Sequence, residues 1–579
     1  MMRVANRMCT ALTGLLLAAG LGNPTSGQEG DSAPQRDARW EKAPPLWVEE
    51  NWDVRKLEHL LNRAAFGASQ EDLARWTEKG PRFAIERLLR DRGPEEPFLN
   101  EVVQLDREAM KGLKGEARRL AIKRMRSRNR NLFQSYLASW IDDMLGGDSP
   151  LRERMALFWH NLFTSSITEV QRAHLMIQQS LMFRDRALGS YSDLLRDILR
   201  DPAMLIYLDN NSNEKGHPNE NLAREVMELF SLGVGNYSED DVLNAARALT
   251  GRGTDSEYEY KFNPRKHDFD EKVILGEEGR LDADDLVDIL IAQPACSRYI
   301  TGRLIEYFEG YPPSEERLET YARILRRHDY QVRPVLRRLF MDPAFYREEV
   351  LGARVGSPVD FLVGSCRRLD IEPPASFLAI GSSLAGQTLL DPPSVKGWDG
   401  GEAWINTSTL MVRGNLAGLL LGTLYEDFDT QAEAEGPGRQ RLGAPRDRIV
   451  DDDVFVVMDQ MQLEVDGTDR HKGKDARSGL DRMMRLISKA GYRPRMHLTA
   501  RLLRRGVEGE AGVVEAMLED LLAIEPPAET RALVSEYLKN ELEARKIRPA
   551  ALLESGSESE RLLRDLAHLI LSLPEANLG

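Results

Sequence analysis

Cysteine and histidine are scarce in this chain, and no long hydrophobic run appears beyond its first residues. Three cysteines among 579 residues leave no material for a disulfide scaffold, and no CxxC pair is present to seed a zinc site. Only nine histidines occur, so each has value as a pointer. The nucleophile elbow G-x-S-x-G, the phosphate loop, the dinucleotide fingerprint G-x-G-x-x-G and the metalloprotease helix H-E-x-x-H are all missing. The two ExxH motifs that di-iron bundles bring together are missing as a pair too. Positive charge is outweighed. The net charge of −15 argues against a general nucleic-acid binder, which needs a basic face.

What is present begins with an export signal. Arg3 and Arg7 precede an apolar stretch, Met8–Leu21, too short to span a membrane comfortably. Thr25, Ser26 and Gly27 then suit cleavage before Gln28. The expectation is an exported protein, periplasmic or extracellular, with no transmembrane anchor once the signal is removed. After the signal peptide, 1–27, a polar linker covers 28–48. A helical body is expected over 49–428, a flexible insertion over 429–447, and a C-terminal helical region, 448–579, packed on the same body. Cys296 and Cys366 outlast the signal, as one disulfide or two buried thiols.

Periodicity is mostly that of helices. Leu57, Leu60 and Leu61 open an apolar face, and residues 107–130 carry ten Lys or Arg over a partial core stripe. LRERMALFWHNLF, from Leu151, reads as an amphipathic helix with His160 at the edge of its stripe. One phrase recurs at Tyr191, Gln331 and Arg561: an apolar helix, a short break and a proline. In the first two copies, Asp201-Pro202 and Asp342-Pro343 fit a helix cap followed by proline at the first helical position. Strand character is confined to Tyr258, Tyr260 and Phe262, with Val273 and Ile274 as the return strand of one small hairpin. The fold class expected is mainly α: a large irregular multi-helix body with one small β-hairpin and long loops.

The densest chemistry lies in HPNENLAREVMELFSLGVGNYSEDDVLNAARALTG, from His217 to Gly251. Asn219 is a good helix starter, and Leu222, Ala223, Val226, Leu229 and Phe230 form a stripe for burial. Asn221, Glu225 and Glu228 fall together on a neighbouring face. Gly233 and Gly251 are placed to end helices.

Several phrases follow one another in an order that resembles a known family: HLLNRAAFG (59–67), ERMALFWHNLFTSS (153–166), DPAMLIYLDN (201–210), NENLAREVMELFSLGV (219–234), DVLNAARALTG (241–251), HDFDEK (267–272) and PPSVKGW (392–398). The closing LAHLILSLPEANL fits the same pattern. Together they resemble the bacterial family catalogued as domain of unknown function 1800. The resemblance implies export, and a neighbour that is itself exported and similar to sulfatases and alkaline phosphatases. It implies no particular reaction. The chain departs from the pattern at Phe230-Ser231, where relatives tend to read histidine-threonine, at Arg252, where tryptophan is usual, and at Asp270, where glycine is usual.

Two families of reading remain open for the polar residues. In one, His160, Glu225 and Glu228 are catalytic, and His160, Glu225, His267 and Asp268 hold a divalent metal, as imidazole and carboxylate suit. That would be a hydrolase-like enzyme acting on extracellular material. In the other, Asn219, Glu220, Asn221, Arg224 and Arg247 form a structural or binding network, with Arg224 or Arg247 paired to glutamates. The chain is then an assembly or binding partner of other exported or surface proteins. Trp398 and Trp404, beside a Gly-rich loop, add a weaker option of sugar stacking.

Overall fold

The computed structural model describes residues 51–91, 93, 98, 112–424, 483, 487, 491–554 and 556–579. The expected signal, the linker and the 429–447 insertion lie outside these residues, as does the first part of the basic segment. The fold is mainly α-helical, as expected. One continuous apolar core runs from Leu57 to Ala576 and takes in the helices beyond Leu498.

Short polar side chains start the helices. Asp53, Ser190, Ser238, Asp282, Ser314, Ser357 and Asn406 each accept a backbone N–H from the first turn that follows. The Asp-Pro phrases work the same way. Asp201 accepts the Met204 N–H at 2.8 Å, and Pro202 opens the helix Pro202–Tyr207. Asp342 accepts the Ala344 N–H at 3.0 Å, and Pro343 opens a 3-10 turn, Pro343–Tyr346. The first two copies of the phrase meet where they begin. Ser190 and Gln331 form an antiparallel bridge, with Tyr191 N–H on Tyr330 O at 2.9 Å and Val332 N–H on Gly189 O at 3.0 Å. The third copy ends in the turn Pro574–Asn577, which Asn577 O pins to Gly356 N–H at 2.7 Å.

The helix Pro150–Leu162 departs from expectation. It has no solvent face: every residue except Asn161 is buried. The helices Gly115–Gly146 and Ala173–Asp185 pack against it. Its charges survive burial because partners are at hand. Glu153 accepts from Trp140 Nε1 at 3.0 Å and pairs with Arg152 at 2.7 Å and Arg184 at 2.6 Å.

The expected hairpin is also re-paired. β2 (Tyr260–Phe262) pairs back with β1 (Arg252–Thr254), and β3 (Lys272–Ile274) pairs with β4 (Glu277–Gly279). The second ribbon closes through Leu275 and Gly276, both at positive φ, as a two-residue hairpin turn demands. Leucine rarely takes that conformation, so the turn carries little sequence signal. Asp241 steadies it by accepting the Leu275 N–H at 2.7 Å. Cys296 and Cys366 are buried free thiols. Among the described residues no helix is long and apolar enough to cross a membrane.

Asp201 makes the helix-joining phrase sensitive to pH. Burial pushes its carboxyl up to about 7, against the Met204 N–H and the Gln179 amide that favour its charge. The folded value lies above the unfolded one, so its contribution is full below about pH 4 and fades as pH rises through about 7. Asp201→Asn keeps an acceptor and removes the titration. Urea unfolding at about pH 4 and about pH 8 should show the stability difference moving in favour of the variant at the higher pH. A difference that does not change with pH would contradict this account.

Candidate functional site

The asparagines of the dense segment serve the backbone. Asn210 Nδ2 donates to Arg252 O at 2.9 Å, and Asn213 Nδ2 donates to Ala246 O at 2.9 Å. Asn213 Oδ1 accepts the Asn219 N–H, and Asn219 Oδ1 accepts the Asn221 N–H, each at 3.0 Å. Asn219 Nδ2 also reaches Ser212 Oγ at 2.9 Å. The 209–219 loop is thereby sewn to the end of the helix Glu239–Ala248 and to β1. Gly251 turns between them at φ 75°, where a Cβ would lie 2.6 Å from Asn263 O.

The helix that follows is shorter than its apolar period suggests. A single α-helical stretch, Asn221–Glu225, passes into a π-helical turn, Val226–Ser231. Ser231 Oγ donates to Val226 O at 2.6 Å and Leu232 N–H to Met227 O at 2.8 Å, both five residues back. Leu222, Ala223, Val226 and Phe230 are buried, while Leu229 is only partly so. Phe230 sits in the core, 5.2 Å from the ring of Phe163. The position where relatives tend to carry histidine is therefore an apolar packing position here.

Glu225 stands apart from its neighbours. It is half-buried, with no hydrogen bond or ion pair among the described residues. Burial and the charge of Glu228 push its carboxyl up, and Arg224 and Lys396 offset part of the shift. Glu228 accepts from Tyr237 Oη at 2.6 Å. The Tyr207 hydroxyl is pushed up to about 12 by burial and by Glu169, Glu225 and Asp391. The corner thus gathers Tyr207, Glu225, Glu228, Tyr237 and Lys396. Spacing gave no hint of the two tyrosines or the lysine, although Tyr207 and Lys396 lie inside recognisable phrases. Its chemistry is that of a protonatable carboxyl beside a second carboxylate.

The other candidates are spoken for. Arg224 grips Glu239 at 2.7 Å and Glu220 at 3.1 Å at the surface, and Asn221 is exposed. Arg247 Nε donates to Asp268 at 2.8 Å, and Arg247 Nη2 reaches Glu271 O at 3.1 Å. Arg247 thus takes an aspartate where a glutamate was expected. Burial opposes the charge of Asp268, yet the Asp270 N–H and Arg247 outweigh it and hold that carboxyl below its usual range. His267 Nδ1 faces Thr250 O at 2.8 Å, and Lys272 Nζ donates to Asp268 O at 2.6 Å. HDFDEK is a loop tied to the helix it follows.

His160 is fully buried, and neither ring nitrogen has a hydrogen-bond partner among the described residues. It lies 5.5 Å from the Trp398 ring and 6.2 Å from that of Phe183. This corrects its expected place at the edge of the helix's apolar stripe. Among the described residues no three of His, Cys, Asp and Glu come together to hold a metal ion, so His160, Glu225, His267 and Asp268 do not assemble into a centre. Trp398 and Trp404 are buried as well, and neither offers a face to a sugar ring. Trp398 N–H donates to Asn161 Oδ1 at 2.7 Å, and a Cβ on Gly397 would lie 2.2 Å from that oxygen. The PPSVKGW loop is clamped onto the buried helix.

The model of the family described as protein of unknown function (DUF1800) matches residues 59–578. No curated protein and no solved structure matches.

Burial pushes the His160 imidazole down to about 3. Its folded value lies below the unfolded one near 6.5, so its contribution is intact above about pH 6.5 and lost as pH falls towards 3. At about pH 5 the loss is about 2 kcal/mol. His160→Phe should therefore flatten the acid limb of a melting-temperature profile. An unchanged limb would place the acid sensitivity elsewhere.

Proposed function

We propose that this chain, which belongs to the DUF1800 family, is an exported binding or assembly partner of another exported or surface protein, and that it docks through the corner carrying the two ribbons. The observation that carries this reading is an aromatic knuckle. Phe262 and Phe269 pack against the ring of His267, at 5.3 and 4.6 Å, yet remain 39% and 53% exposed. Val273 is exposed on β3 between buried Lys272 and Ile274. Large apolar side chains left in water on a braced scaffold suit a protein contact. The scaffold is the Asn210–Asn213–Asn219 lattice, and the knuckle's loop is held by Arg247 and Lys272. The polar residues of this corner are thus spent on rigidity. The partner chemistry we favour is the sulfatase- or phosphatase-like exported neighbour that the family resemblance implies.

The competing reading, a hydrolase-like enzyme acting on extracellular material, draws on Glu225. A half-buried carboxyl with a raised proton affinity, next to Glu228 and Tyr207, is the arrangement a general acid needs.

Two measurements separate them. Sedimentation velocity of the purified chain with its purified sulfatase- or phosphatase-like neighbour should show a complex at micromolar concentration, and Phe262→Ser/Phe269→Ser should weaken it by about tenfold or more without lowering the melting temperature. Equal binding by the variant would sink the docking surface. Hydrolysis of ester and glycoside panels by the wild type, abolished in Glu225→Gln, would favour the enzyme instead.

A further inference from the structure

Apart from that corner, the structure holds a second feature, where the first and last recognisable phrases of the chain meet. A small cleft, with about 30 Å³ of interior space open to water-sized groups, is lined by Asn62, Arg63, Phe66 and Gly67, by Arg354, Asp360 and Arg368, and by the closing segment Ala576–Gly579. We propose that this cleft is an oxyanion-binding site, which takes a phosphate, sulfate or carboxylate group of a small ligand.

The argument is one of charge. Asp360 carries the carboxylate side chain of the lining, and its oxygens are taken. It pairs with Arg154 from behind the cleft and with Arg354 at 2.7 Å, and it accepts from Ser357 N at 3.0 Å and Ser357 Oγ at 2.9 Å. Arg63 is 1% exposed. It gives one bond, from Nη2 to Val350 O at 3.0 Å, and its Nε and Nη1 have no hydrogen-bond partner among the described residues. Burial and the neighbouring Arg354 disfavour its charge more than Asp360 and Glu309 support it. Glu309 is itself held by Arg317 through two bonds of 2.6 Å. Arg368 gives Nη2 to Asn62 Oδ1 at 3.1 Å, while its Nε makes no hydrogen bond among the described residues and only a long ion pair. Its ion-pairing carboxylate, Glu58, stands 3.8 Å away, and burial pushes that carboxyl up to about 7. Arg413, also buried, spends its donors on Gly356 O and Asn577 Oδ1.

Buried arginines in the same molecule show the ordinary solution. Arg317 meets Glu309 and Asp342, and Arg184 meets Glu153 and Asp143. Around the cleft, Arg63 and Arg368 keep buried donors without hydrogen bonds, and the lining guanidiniums of Arg63, Arg354 and Arg368 outnumber its carboxylate side chains. A buried cation without a matching anion is strongly disfavoured. Water would supply acceptors but no charge. A guanidinium fork matches an oxyanion in both geometry and charge.

The test uses the full-length chain. Sodium phosphate, sodium sulfate and sodium acetate are titrated calorimetrically in buffers of matched ionic strength, with chloride as the control. At least one should bind saturably at one site and raise the melting temperature beyond the chloride effect. Arg368→Gln and Arg63→Gln should each weaken that binding by about tenfold or more, whereas the surface variant Arg531→Gln should not. Should Arg63→Gln fail to fold, Arg368→Gln and the wild-type melting shift decide. A wild type that responds to the oxyanions no more than to chloride would overturn the proposal, and so would binding that survives the Arg368 substitution.

Discussion

The ionised carboxylate of Asp360 is the point at which four stretches of chain meet. Through Arg154 it holds the buried helix Pro150–Leu162, and Arg154 also lies over the ring of Phe66 at 3.7 Å. Through Arg354 it holds the loop to which Gly579 N–H is bound. Through Ser357 it closes a capping box on its own helix, Pro358–Leu369. Such a charge tolerates burial only because its acceptor sites are filled. Burial works against it, and the two guanidiniums prevail, keeping its carboxyl well below the usual range.

That constraint explains which parts of the fold were legible in the sequence. Local rules carried the helix starts, because a capping serine or aspartate acts within three residues of itself. Asp201 and Asp342 are read correctly on that basis. Rules of periodicity failed where the environment is set from afar. Arg152, Glu153 and Arg154 look like a solvent face, yet they are buried because Trp140, Arg184 and Asp360 reach them from other segments. The hairpin failed for the opposite reason. Its turn is local, but Leu275 carries it in a conformation that leucine seldom takes.

The candidate site was legible in composition more than in role. Asparagines, arginines and glutamates do converge between Asn210 and Asp268, as their density suggested. Their partners, however, are mostly backbone atoms and one another. An asparagine that feeds a carbonyl and an asparagine that binds a ligand look alike in one dimension. His160 shows the limit most clearly. A histidine at the end of an aromatic helix invites a chemical role, yet its ring is enclosed by Phe183 and Trp398 with no polar partner. Glu225 is the reverse case, a glutamate in a crowd of glutamates that only the structure leaves unpaired.

The distribution of charge completes the picture. The whole chain is acidic, and net charge alone turns attention away from anions. Recognition depends on the local field, and burial concentrates that field by excluding the water that would screen it. Arg63 and Arg368 are two among 78 Lys and Arg, and folding places them at one cleft. Their neighbours Asn62 and Asn577 belong to phrases whose chemistry no motif explains. An acidic exterior with a cationic interior cleft favours small anions that can enter over extended polyanions that cannot. The acidic net charge and the buried arginines are therefore compatible, and together they favour a small ligand.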